Sequence, residues 1–243
     1  DRRQRQMCIR DRPNIKGRTL FTEGALLAPT GIVWRTGANA STKITFSDPV
    51  TVSGKLLPAG SYGLFSIPGK DEWTLILNTN SKGWGSFQYN EAEDVVRVKV
   101  KPQTTSMSTE TFSITVGNIT AETCTIGLKW GKTYVELPVA TDIKPAIRKQ
   151  IQDALSQNPI NPNTYGAAAN FYFELDHDNK AALEMINKAI AANQNAYWLL
   201  LTKAKIQKEL GDKKGAKESA TACVNAATEA KNADYVRSGK DLI

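Results

Sequence analysis

GIVWRTGANASTKITFSDPVTVSGKLLPAGSYGLFSIPGKDEWTLILN, residues 31–78, is the stretch that decides the fold. At residues 42–46 apolar and polar side chains alternate, which is typical of a strand with one buried face. Turn-forming residues separate this run from four others that are rich in β-branched and aromatic residues, at 50–52, 55–57, 62–67 and 73–78. Ser53-Gly54 predicts a tight hairpin between the two short runs that flank it. The stretch therefore predicts successive antiparallel strands.

The strand pattern continues beyond this stretch. Five more runs have strand composition, at 84–89, 95–100, 110–116, 124–130 and 134–139. Gly131-Lys132, between the last two runs, predicts a further hairpin. Because no clear helical pattern interrupts these runs, the sequence predicts about nine to eleven strands in an antiparallel β-sandwich or a flattened barrel.

The composition changes near residue 141, where Ala, Lys, Leu and Asn begin to recur at helical spacing. Asp142 is a suitable cap for a helix from residue 143 to about 157. The pattern A-x3-I-x2-A-I at positions 182–190 recurs at positions 216–224 as A-x3-A-x2-C-V. The offset between the two copies equals the tetratricopeptide period of about 34 residues. We therefore predict an α+β chain, with a β domain at 13–141 and a tetratricopeptide-like helical domain at 142–243.

The net charge of +7 is distributed unevenly. Residues 1–18 hold an excess of five basic residues, whereas the rest of the chain is closer to neutral and has no basic patch interleaved with aromatic residues. This distribution argues against a nucleic-acid partner. No apolar run approaches the roughly 18 residues of a membrane-spanning helix, so no transmembrane segment is predicted.

Residues 1–12 are set apart from the fold prediction. The chain starts with Asp1, and residues 7–12, MCIRDR, resemble a peptide encoded by sequencing adapters. We therefore expect residues 1–12 to be a non-native or disordered tail, and we expect the original N-terminus with any signal peptide to be lost from this sequence.

Sequence motifs for metal binding and catalysis are missing. The one histidine, His177, aligns with Gly211 of the next repeat, which favours a residue in the turn after a helix. Cys124 and Cys223 each belong to an apolar pattern, and we expect both to be buried free thiols. Without paired ligand residues or a phosphate-binding glycine motif, the sequence predicts no metal site and no cofactor.

Four short segments carry a resemblance to a known family: PNIKGR at 13–18, VWRTGAN at 33–39, LPAGSYGLFSIP at 57–68 and DEWT at 71–74. Together they closely resemble the bacterial family catalogued as domain of unknown function 2911, over residues 13 to about 140. Similar members often carry a tetratricopeptide-like tail, and many are exported. The resemblance thus implies a periplasmic or cell-envelope location, and it implies no activity.

The segment WRTGAN at 34–39 is the densest candidate site. In one interpretation it is architecture: the donors of Arg35 hold carbonyls of nearby turns, Asn39 caps the loop and Trp34 packs in the core. In the other, Arg35 and Asn39 bind an anionic or polyhydroxyl ligand beside an aromatic wall. The tentative ligand-binding residues are Trp34, Arg35, Thr36, Asn39, Trp73 and Trp84.

Two functions from different classes remain open on the sequence. The first is a non-enzymatic module that binds a small anionic or carbohydrate ligand through the β domain and a protein or peptide through the helical repeats. The second is an envelope hydrolase or carbohydrate-active enzyme that uses Arg35 together with carboxylates. The acids available for that role are Glu23, Asp48, Asp71, Glu72 and Asp94.

Overall fold

The strands and the α-helices occupy separate parts of the chain, and one short 3-10 helix (Glu91–Glu93) lies among the strands. The computed structural model describes residues 12–243, in which eight strands come first: β1 (Thr42–Phe46), β2 (Val50–Val52), β3 (Lys55–Leu57), β4 (Gly60–Ile67), β5 (Trp73–Asn78), β6 (Asp94–Val100), β7 (Gln103–Gly117) and β8 (Thr123–Ala140). They form two antiparallel sheets, with strand orders β1-β4-β5-β6 and β3-β2-β8-β7. Helices follow, so the α+β prediction is confirmed. The expected tail at residues 1–12 falls almost entirely outside the described residues.

The two sheets pack face to face around an apolar core. Leu64, Leu75 and Leu77 come from one sheet, and Val52 and Leu137 come from the other. Alternate residues of each strand supply these side chains, as expected when one face of a strand is buried. Within the described residues the sheets keep open edges at β1, β6, β3 and β7, so the chain forms a sandwich and the barrel alternative is not adopted.

The hairpin predicted from Ser53-Gly54 is confirmed. β2 pairs with β3 in the register Val50 opposite Leu57 and Val52 opposite Lys55. Ser53 and Gly54 both have positive φ, 50° and 79°. Two consecutive residues of this kind produce the turn whose twist matches that of the flanking strands.

Two strand predictions are wrong. Residues 84–89 form a loop in which Trp84 makes a single bridge to Ala40. Residues 124–139 belong to one long strand, β8, and Gly131 is not at a hairpin turn. Gly131 has a φ of 59° and stands opposite Thr109, where the pairing of β7 with β8 changes register. The glycine therefore bends a continuous strand, as in a β-bulge.

The chain divides into two compact units, with the boundary between Asp142 and Ile143. The second unit contains α1 (Lys144–Leu155), α2 (Asn163–Asn170), a π-helical turn (Phe171–Leu175), α3 (Asn179–Ala192), α4 (Tyr197–Glu209), α5 (Lys213–Glu229) and α6 (Ala233–Lys240). The cap predicted for α1 is wrong, because its N-cap is Ile143 and no side chain caps it. Pro145 lies in the first turn of α1, where a missing N–H costs little.

Helices α3 and α5 begin in the same way, one period of the sequence repeat apart. Asp178 accepts a hydrogen bond from the Ala181 N–H at 3.0 Å, and Asp212 accepts one from the Gly215 N–H at 2.9 Å. His177 and Gly211 precede these caps with φ of 58° and 80°. His177 thus lies in the turn after a helix, as the sequence predicted. The tetratricopeptide-like character of the unit stays an expectation.

Both cysteines of the described chain are unbridged thiols. Cys223 is buried, as expected, and burial raises the pKa of its thiol. Cys124 is half-buried and packs at the edge of the sandwich core, so its full burial was predicted wrongly. Between residues 12 and 243, none of the helices is both long enough and apolar enough to cross a membrane.

Candidate functional site

The candidate segment lies in a loop that precedes β1, which we call the motif loop (residues 31–41). Trp34 anchors it through the backbone: the Trp34 backbone N–H donates to the Ser66 carbonyl at 2.8 Å, and the Trp34 carbonyl accepts from the Ser66 N–H at 2.9 Å. The motif loop thereby continues along the edge of β4 beyond the end of β1. The indole is 4% exposed and stacks on Trp130, with ring centroids 5.6 Å apart.

The polar residues of the motif loop fix a sharp reversal of the chain. Thr36 is fully buried, and its hydroxyl donates to the Ser66 hydroxyl at 2.9 Å. Thr42 donates to the Thr36 carbonyl at 2.7 Å. Thr36 and Asn39 have φ of 52° and 59°, a conformation common in turns for asparagine and rare for threonine. Thr36 therefore has a structural role in holding the loop.

A second loop, which we call the tryptophan loop (residues 79–90), covers the outer face of the β4–β5–β6 sheet. Its backbone passes so close to Gly63 that a Cβ there would lie 2.5 Å from the Asn80 carbonyl oxygen. Tyr89 packs on Phe65 with ring centroids 5.1 Å apart. Asn78 fixes both ends of the loop, because it accepts from the Asn80 N–H at 2.8 Å and donates to the Asn90 carbonyl at 2.9 Å.

Asp94 joins the base of the tryptophan loop to the sheet. Its side chain is 5% exposed and accepts hydrogen bonds from Asn78 at 2.8 Å, Tyr89 at 2.6 Å and Arg97 at 2.9 Å. Burial of the phenol and its hydrogen bond to the Asp94 carboxylate raise the pKa of Tyr89 well above its usual value. The loop is thus held by buried and satisfied polar groups.

The two loops meet through their backbones. The Gly85 N–H donates to the Asn39 carbonyl at 3.0 Å, and the Ser41 N–H donates to the Gly83 carbonyl at 3.1 Å. The Ser41 hydroxyl, which is buried, donates to the Gly85 carbonyl at 2.7 Å. None of these bonds involves the side chain of an aromatic residue. The junction therefore forms a fixed surface on which exposed side chains are displayed.

Arg35 lies at this junction. Its Nη1 donates to the Asn39 carbonyl at 3.1 Å, the one hydrogen bond that the side chain of this half-buried residue makes within residues 12–243. Nη1 is also 3.1 Å from the position that a Cβ on Gly85 would take, and the Phe87 ring is at the same distance from that position. Arg35 and Phe87 thus flank Gly85, where a φ of 69° and the close approach both favour glycine.

The tryptophans proposed from the sequence separate into two groups. Trp34 and Trp73 are in the core, 4% and 2% exposed, so neither presents a ring to solvent. Trp84 is 62% exposed and adjoins the loop junction. Phe87, 86% exposed, was missed by the sequence analysis because residues 84–89 were interpreted as a strand. The aromatic surface of the candidate site is therefore Trp84 with Phe87, and its ligand role stays a prediction.

The charge at the junction has one sign. The motif loop and the tryptophan loop contain two basic residues, Arg35 and Lys82, and no acidic residue. Arg35 forms no ion pair with any acid of the described chain. A guanidinium in such surroundings favours a negatively charged partner, which would supply the acceptors that the protein does not.

Three of the five carboxylates considered for hydrolysis have other partners. Glu72 pairs with Lys99 at 2.9 Å, Asp94 is held as described above, and Asp48 accepts from the Ser47 hydroxyl at 2.7 Å. Within residues 12–243, no cluster of His, Cys, Asp and Glu could hold a metal ion.

Comparison with protein families gives one match. Residues 8–139 match the model of the family described as "Protein of unknown function (DUF2911)", and the match covers the sandwich, except the last residue of β8, together with both loops. It begins inside residues 1–12, the expected tail. Neither a curated protein nor a solved structure matches the chain.

Proposed function

The chain belongs to the DUF2911 family, and from that premise we propose that its β unit is a non-enzymatic binding module. The proposed ligand is anionic or polyhydroxylic, and it binds where the motif loop and the tryptophan loop meet. Arg35 binds its charged group, Asn39 lies beside it, and Trp84 supplies an aromatic surface. Membership of this family implies no activity. The proposal therefore rests on the geometry of the junction.

One observation carries this proposal: Arg35, a half-buried residue, makes a single hydrogen bond through its guanidinium and forms no ion pair with an acid of the described chain. Arginine has five N–H donors, and those near a protein interior are usually paired. An arginine that only braced a loop would hold several carbonyls or a carboxylate, as Arg97 does with Asp94 and Glu91. The unused donors of Arg35 thus favour a ligand.

Nuclear magnetic resonance tests the proposal with small anions. In the wild type we expect sulfate and acetate to shift the amide resonance of Gly85 and the Nε–H resonance of Arg35, and we expect the Gly85 shift to vanish in Arg35→Gln. Lys55→Gln is the matched control, because it removes one exposed positive charge from β3, which belongs to the other sheet of the sandwich. Equal shifts in the wild type and Arg35→Gln would refute the proposal.

The helical unit is proposed to bind a protein or peptide partner. The Asp178 and Asp212 caps are one period of the sequence repeat apart, which supports a structural repeat, and stacked helical repeats present extended surfaces to partners. We also propose a periplasmic or cell-envelope location, which rests on the exported members that this sequence resembles. Fractionation of the native host, with an antibody against the β unit, tests the location.

A further inference from the structure

We propose that the ligand of the loop junction is an acidic carbohydrate, a glycan built from uronic acids. This inference rests on the proposed function and specifies its ligand. It joins the two ligand classes left open above, because a uronic acid carries a carboxylate and hydroxyl groups on one pyranose ring. The evidence is the placement of Phe87, the openness of the aromatic surface and the chemistry around Arg35.

Phe87 and Arg35 are close enough to contact one sugar unit. Each is 3.1 Å from the same point beside Gly85, so about 6 Å at most separates the ring edge from Nη1. In a uronic acid the carboxylate is attached directly to the ring. A carboxylate bound by Arg35 therefore brings the pyranose ring next to the side chain of Phe87.

The exposure of the aromatic residues favours a sugar over a fully apolar ligand. Apolar ligands bind in concave pockets that bury most of their surface. Phe87 and Trp84 instead stay largely open to solvent. Such rings suit a partner with one apolar face and a polar rim, and a pyranose has a C–H face and hydroxyl groups at its edge.

The polar groups around the junction fit both parts of the ligand. Arginine binds carboxylates through two parallel N–H···O bonds, and Arg35 uses one of its donors. The exposed side-chain amide of Asn39 is available to sugar hydroxyls. Gln88 of the tryptophan loop accepts from the Trp84 backbone N–H at 3.3 Å through Oε1, which leaves its side-chain amide N–H group to donate to a hydroxyl. Because the charged residues of both loops are all basic, an acidic glycan is favoured over a neutral one.

Calorimetric titration with three probes tests the inference: trigalacturonate, the neutral trisaccharide maltotriose and acetate. We expect trigalacturonate to bind at least about tenfold more tightly than either of the others, and Arg35→Gln to abolish its binding. Phe87→Ala should weaken trigalacturonate about 3- to 10-fold, the usual worth of one aromatic contact, and leave acetate within about twofold. Met107→Ala, which truncates an exposed side chain on β7, is the control and should change neither affinity.

The outcomes separate the two proposals. Equal affinity of the wild type for trigalacturonate and acetate, with both lost in Arg35→Gln, would overturn the acidic glycan and leave the anion site standing. Maltotriose binding equal to that of trigalacturonate would also overturn it. If Arg35→Gln binds every probe like the wild type, or no probe binds the wild type, both proposals fail. Because Phe87 is so exposed, its truncation leaves the core intact, and circular dichroism verifies this for each variant.

Discussion

Arg35→Ala distinguishes a ligand-binding arginine from one that braces the fold. The matched control is Arg97→Ala, which removes the same side chain from the same sandwich at a position with several partners. Arg35 is half-buried, Arg97 is exposed but holds the buried Asp94 carboxylate, and each lies beside the tryptophan loop. The comparison therefore isolates what each guanidinium contributes to stability.

The expected magnitudes follow from the hydrogen bonds. Arg35 makes one, to the Asn39 carbonyl, which keeps the Gly85 N–H as a second donor. Because no buried group is stranded, Arg35→Ala should cost no more than about 1 kcal/mol. Arg97 binds Asp94 at 2.9 Å and Glu91 at 2.8 Å. Asp94 is almost fully buried, and breaking such a pair costs about 3 kcal/mol or more. We expect roughly 2 kcal/mol, since Arg97 is 35% exposed and Asp94 keeps two other donors.

Urea unfolding followed by tryptophan fluorescence measures both changes. Trp34 and Trp130 stack in the core of the sandwich, so their emission reports its unfolding. Arg97→Ala should lower the midpoint clearly at an unchanged slope, and Arg35→Ala should stay near the wild type. If Arg35→Ala loses as much stability as Arg97→Ala, Arg35 is a brace, and the anion site and the acidic glycan lose their support together.

Three further predictions address the junction, the division of the chain and a titrating side chain. Gly85→Ala should lower the free energy of unfolding in urea by about 1 kcal/mol more than Gly31→Ala does. Both residues have positive φ, but only a Cβ at position 85 would contact Arg35 and Phe87. Equal losses in the two variants would contradict the close approach at Gly85. Residues 12–142 expressed alone should melt cooperatively, and a protease-sensitive product would show that the helices complete the core. Tyr134 donates to Glu136 at 2.6 Å, and this bond, with burial, raises the pKa of Tyr134 to about 12. Because the folded protein retains this proton more tightly, the associated stability is present below pH 10 and is lost as pH rises towards 12. In Tyr134→Phe that loss should disappear, and absorbance at high pH should show one late-titrating tyrosine fewer.

The sequence predicted those strands whose structure is decided locally. β2 and β3 are joined by two residues that both accept positive φ, and this alone determines the hairpin and its register. In β6 valines alternate with Arg97 and Lys99, so the valines mark the buried face of the strand and the basic residues mark its solvent-exposed face. Such signals act within a few residues, so a single sequence is enough to find them.

The errors arose where a local signal has two structural solutions. A glycine with positive φ serves equally in a hairpin turn and in a bulge, and Gly131 became a bulge because β7 pairs along β8 on both sides of it. Residues 84–89 are rich in aromatic side chains, as strands are, but the backbone N–H and carbonyl of Gly85 bond to Asn39 and Ser41. Those partners are distant in the sequence, on the far side of β1 to β5, and no local pattern indicates the pairing.

The same long-range pairing explains why the site was found only in part. The motif loop was recognised from its own residues, whereas Phe87 becomes a candidate only when Gly85 is placed beside Arg35. Backbone groups and the Ser41 hydroxyl make the contacts that join the loops, so the identity of the exposed aromatic side chains does not decide whether the junction forms. Substitutions at positions 84 and 87 should therefore change which ligand binds while leaving stability within about 0.5 kcal/mol, as for other surface substitutions. The proposed ligand surface can therefore vary in sequence while the backbone geometry stays the same, and only the fold shows which residues belong to it.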